Sequence, residues 1–72
     1  MKIVHFLVEP NELGGWVVRR DDPMEVYRFE DKASAAVFAE ALAQRYRPSM
    51  VTIRLKDGGI EKDWIYPPPP QS

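Results

Sequence analysis

The chemistry open to this chain is limited first by what it holds little of. It has one histidine, His5, and no cysteine. Thiolate nucleophiles, disulfides and cysteine-held zinc are therefore excluded. A lone histidine supplies neither a metal-binding pair nor a convincing base for a catalytic triad. Carboxylates do come in pairs: Asp21-Asp22, Glu30-Asp31, and Glu61 with Asp63. General acid–base work needs such groups converging in a cleft. The first two pairs fall where turns and helix caps favour acids for structural reasons. The four glycines form two isolated pairs, Gly14-Gly15 and Gly58-Gly59. Neither opens a helix, as a phosphate-cradling loop must. A domain this thin is also expected to lack the depth of a pocket of about 300 Å³. The expectation is no catalysis, no cofactor and no metal.

Five short β-like segments and one helix must position these residues. Ile3–Val8 is a continuous apolar run, as in a strand. Trp16–Arg20 and Glu25–Phe29 alternate in character, and Arg20-Asp21-Asp22-Pro23-Met24 between them reads as a hairpin loop. Ala35, Phe38, Ala39, Leu42 and Tyr46 recur at helical spacing, which predicts a helix over Lys32–Tyr46. Asp31 suits its N-cap, Arg45 and Arg47 suit its negative pole, and Pro48 stops it. Val51, Ile53 and Leu55 then alternate with Thr52, Arg54 and Lys56. Asp57-Gly58 predicts a tight primed turn into Ile60–Tyr66. In that last strand Ile60, Lys62, Trp64 and Tyr66 share one side, and Glu61, Asp63 and Ile65 the other. The fold expected is α+β in the order β-β-β-α-β-β, a mostly antiparallel sheet with one helix packed on one face. It occupies residues 1–66, with a proline-rich tail over 67–72; strand order stays open.

Alternation assigns the faces. With Trp16, Val18, Tyr27, Phe29, Val51, Ile53 and Leu55 turned to the helix, Val17, Arg19, Val26, Arg28, Thr52, Arg54 and Lys56 turn away. Arg19, Arg28, Arg54 and Lys56 then form a candidate nucleic-acid face, because arginine contacts phosphate and reads guanine edges. Glu61 and Asp63, expected on the same side, weaken that reading. Val17 and Val26 outside the sheet, with Val37 and Ala41 on the helix's far side, are candidates for protein contact or self-association. His5 falls with Ile3 and Leu7, at an edge or capping the core through a hydrogen bond. Pro67–Pro70 favours an extended polyproline rod, which would check further strand pairing.

The chain has 72 residues, 44% hydrophobic and 29% charged, with a net charge of −1. It makes one small soluble-type domain with a thin core. The near-neutral charge argues against a wholly electrostatic grip on nucleic acid. The apolar start is too short for a secretory signal, and no run approaches the ~20 apolar residues of a membrane span, so the expected address is the cytoplasm. The expected role is a non-enzymatic interaction or self-association module, with nucleic-acid binding as the alternative.

Gly15-Trp16-Val17-Val18, Phe29 leading into Asp31-Lys32 with Ala35, and Asp57-Gly58-Gly59-Ile60 followed by Tyr66 together resemble a small bacterial domain-of-unknown-function family. The likeness covers roughly residues 14–66 and its motifs mark turns, a cap and core aromatics. Asp31 stands where the family's threonine cap stands and keeps its role. Gly59 is an addition that loosens the turn. The resemblance implies the fold and no activity. Three strands followed by a helix is also similar to the arm-type DNA-binding domains of phage integrases, a likeness of topology alone.

Overall fold

A computed structural model describes residues 2–21 and 24–70. Met1, Asp22 and Pro23 of the expected hairpin loop, and Gln71 and Ser72 of the expected tail, lie outside the described residues. The elements are β1 (Val4–Pro10), β2 (Trp16–Arg20), β3 (Glu25–Phe29), α1 (Lys32–Arg45), β4 (Ser49–Arg54) and β5 (Ile60–Tyr66). The order is the expected β-β-β-α-β-β, in a five-stranded sheet ordered β3-β2-β1-β4-β5.

The sheet is mixed, which corrects the mostly antiparallel expectation at one central pairing. β1–β2, β2–β3 and β4–β5 are antiparallel, while β1 and β4 run parallel, Phe6 opposite Val51. The helix causes this. Two hairpins leave β3 running in the direction of β1, and α1 carries the chain back over the sheet, so β4 starts at the end where β3 started. β1 is consequently the centre of the sheet.

Alanines let α1 lie close to that centre. Ala35, Ala39 and Ala43 are buried in one row, flanked by half-buried Phe38 and Leu42. Below them Phe6, Val8, Val18 and Val51 are fully buried. Each such side chain stabilises the fold by about 1.5–3 kcal/mol. Phe38 packs against Tyr27 and Phe29, with ring centroids at 4.7 and 5.0 Å. Asp31 is the N-cap as expected, its Oδ1 accepting from the Ser34 N–H at 2.7 Å. That bond, with a second contribution from the Ser34 side chain, holds the Asp31 carboxyl below its ordinary range. Tyr46 is the C-cap, and Ser49 Oγ donates to the Ala43 carbonyl at 2.5 Å.

Two turns depend on glycine. Gly15 has φ +77°, and a Cβ there would stand 2.6 Å from the Phe29 carbonyl oxygen. In the β4–β5 turn, Gly58 has φ +92°. Leu55 N–H donates to the Gly59 carbonyl and Gly58 N–H to that of Leu55. The loop is therefore the three residues Lys56–Gly58, rather than a two-residue primed turn. A register shift follows: Ile53 faces Lys62 but Arg54 faces Ile60, so Glu61 is the extra residue of a β-bulge.

Candidate functional site

Because α1 covers one side of the sheet, the other is open. Pleat and register place there His5, Leu7 and Glu9 of β1, Val17 and Arg19 of β2, and Val26 and Arg28 of β3. Met50, Thr52 and Arg54 of β4 continue the face, with Ile60, Asp63 and Ile65 of β5.

The middle of this face is sealed by its own side chains. Val17 is 8% exposed and Thr52 4%, although no element among the described residues covers them. His5 Nε2 lies 2.9 Å from Thr52 Oγ1, and Arg19 reaches Glu9 at 3.1 Å. His5 is thus on the central strand and hydrogen-bonded, so of its two expected placements the edge is discarded. What remains accessible lies toward the edges: Val26 at 49% on β3, Ile60 at 57% and Ile65 at 58% on β5.

Arg19, Arg28 and Arg54 stand on the open face as expected. Lys56 does not; it lies in the turn after β4. The four lie toward one end of the sheet, in two depressions on either side of β1. Arg19 and Arg28 line one depression with Glu9 and Glu12, and Arg54 and Lys56 line another with the same two acids. β1 and the loop after it thus insert carboxylates between the two basic pairs. Glu61 is not part of this balance: the bulge turns it to the helix side, where it pairs with Lys32. Asp63 remains outside, opposite Thr52.

The apolar candidates divide. Val26 is exposed on the open face, and Val17 there is buried. Val37, 66% exposed, and Ala41 belong to the opposite surface of the domain, where with Ala33, Ser34 and Phe38 they line a shallow depression. The four do not form one patch. Sequence reasoning set Ile65 on the outer side of the sheet without naming it among the four contact candidates, and set Ile60 on the helix side. The signal for Ile60 is the glycine pair, since the extra turn residue forces the bulge that reverses its side.

Of the paired carboxylates, Asp22 lies outside the described residues, and the other two pairs do not converge on a common site. Asp31 is committed to the cap, and Glu61 and Asp63 are on opposite sides of the sheet. A cleft of about 480 Å³ beside Gly14, Gly15 and Trp16 corrects the expectation that the domain lacks pocket-sized space; its titratable groups are Glu12, Glu30 and Lys56. On the helix side a polar cluster ties β2 and β3 to the C-cap. Arg20 lies over the Tyr46 ring at 4.4 Å and 3.6 Å from Glu25. The Tyr27 hydroxyl donates to Glu25 at 2.8 Å, which raises its pKa. Among the described residues no group of three or more His, Asp or Glu side chains is placed to hold a metal, and no helix is long and apolar enough to cross a membrane.

A family model matches residues 5–66. The chain belongs to DUF2188, a family of uncharacterized proteins conserved in bacteria. The DUF2188 match takes in β1 as well as the 14–66 stretch whose motifs carry the resemblance, so the family unit is the whole sheet with its helix. No curated protein and no solved structure matches the chain.

Proposed function

We propose that this DUF2188 domain is a non-enzymatic protein-association module that works through the open face of its sheet. The observation that carries this is the exposure of Val26, Ile60 and Ile65 on a face that no element among the described residues covers, and that also holds Leu7 and Met50. Exposed apolar area of this kind favours burial against a protein surface. A thin single-layer core has more to gain from it than a large one. The candidate contact residues are Val26, Ile60 and Ile65; Val37 and Ala41 belong to a separate surface.

The test is a photo-crosslinking amino acid placed at position 26, with position 44 on the exposed side of α1 as control, in the bacterial host. A discrete protein adduct from position 26 and none from 44 is the expected result. Equal labelling from both, or none from either, removes the reading.

A second reading rests on Arg28, Arg54 and Lys56, which have no ion pair among the described residues. With Arg19 they would offer cationic groups to a nucleic-acid backbone along one end of the sheet. Glu9 and Glu12 between them oppose phosphate, and for that reason protein association is preferred.

A further inference from the structure

We propose that the occupant of the open face is a second copy of this chain, related by a two-fold axis parallel to β1. The proposal rests on the association reading above and fixes its partner and geometry. Strand registers arrange the face in transverse rows. Val26, Arg19, Leu7, Thr52 and Asp63 form one row across all five strands. In the next row Arg28, Val17 and Glu9 are in register, and Arg54 opposite Ile60 continues it one step beyond the Val8–Ile53 pair.

Charge distinguishes the ways two such faces can meet. The β2–β3 half carries Arg19 and Arg28, while the β5 edge carries Asp63. A two-fold axis across the strands would lay each strand on its own copy, basic half on basic half, which costs free energy. An axis along β1 reverses every row instead. Asp63 of the second copy then comes over Val26, one strand from Arg19 and one pleat from Arg28. Ile60 and Ile65 of the second copy flank Val26, so the exposed apolar edges bury each other, and symmetry repeats the contact at the other end. Leu7 meets its own copy at the axis. Glu9 also approaches its copy there, each paired with Arg19 of its own chain at 3.1 Å; Arg54 of the other copy comes over Val17, one strand from Glu9 and equally one strand from Arg28, so that Glu9 offsets the like-charge approach.

The size of the face sets the strength. Strands about 4.8 Å apart and about five residues long, at about 3.4 Å per residue, offer roughly 400 Å² a side in plan. Roughly 800 Å² in all belongs to weak, reversible pairs rather than obligate dimers. Aligned sheets of this kind pack about 10 Å apart, near −30°.

Sedimentation equilibrium of the full chain from about 10 μM to about 1 mM, where contacts of this size assemble, tests the proposal. The mass is expected to rise with concentration from 8.3 kDa toward twice that value. Asp63→Arg is expected to weaken pairing at least tenfold, and Arg28→Asp in the same chain to restore most of it. Val26→Lys provides a second disruption at the apolar contact, and thermal unfolding checks that each variant folds. A mass of 8.3 kDa throughout overturns the dimer; an adduct of other mass at position 26 then still supports association, and no adduct ends both readings. Disruption by Val37→Glu but not by Asp63→Arg moves the contact to the helix and overturns the proposal. Failure of the double charge exchange to restore pairing overturns this two-fold.

Discussion

Lys32 at the start of α1 and Glu61 in β5 form an ion pair across 29 residues of sequence, and the β-bulge at Glu61 makes it. The same lysine lies 5.9 Å from the centre of the Trp16 ring. The helix start is thereby tied to strands on both sides of β1. Lys32 and Glu61 are both more than a third exposed, so the pair is screened by solvent. Glu61→Gln is expected to lower stability by no more than about 1 kcal/mol in urea denaturation, and the difference should fade at high salt. A loss that persists in high salt argues against this account.

The alanine row sets how closely α1 approaches β1. Ala39→Leu forces extra volume into the closest contact and is expected to cost about 1–3 kcal/mol. Ala33→Leu, on the exposed side of the same helix, should stay within about 0.5 kcal/mol of wild type. Similar losses for both in chemical denaturation would remove the packing explanation.

Gly15 and Gly14 both have positive φ, but only Gly15 faces an obstacle, the Phe29 carbonyl oxygen. Gly15→Ala should cost on the order of 1–3 kcal/mol. Gly14→Ala meets nothing within 4 Å and should cost about 1 kcal/mol for its conformation alone. Paired thermal melts measure the difference; a reversed order contradicts the clash.

Asp31 gives the fold a pH dependence of known sign. Its carboxyl is held below its ordinary value of 3.8 in the folded chain, first by the Ser34 N–H. A lowered folded pKa contributes stability that is present above 3.8 and lost as pH falls through the lowered value. Asp31→Ala is therefore expected to be less stable than wild type at neutral pH, with the gap closing on acidification. Asp31→Asn keeps an acceptor for the cap and removes this titration. A pH series of denaturation curves that shows no closing gap rules out the cap as its source.

The basic end of the sheet makes its own prediction. If Arg28, Arg54 and Lys56 grip phosphate, amide shifts on adding duplex DNA map to them at low salt, and the affinity falls with a log–log slope of about −0.9 per phosphate contacted. Shifts absent at low salt leave these residues as a solvated rim, the result expected with Glu9 and Glu12 between them.

Local physics wrote much of this protein into its sequence. The helix limits, the Asp31 cap, the order of elements and the division of β2, β3 and β4 into two faces follow from capping, periodicity and pleat, all of which act within a few residues. Tertiary structure alone decided that β1 lies between β2 and β4, because that depends on where the helix returns the chain. It also decided that Val17 is buried although it points away from the helix. His5 and Thr52, 47 residues apart, meet only through the parallel pairing. Ile60 and Glu61 exchange their expected faces because one extra turn residue displaces the register. The candidate surface was half legible for the same reason. Which side chains leave the core is a local property, but which of them become neighbours is set by contacts between strands distant in the chain.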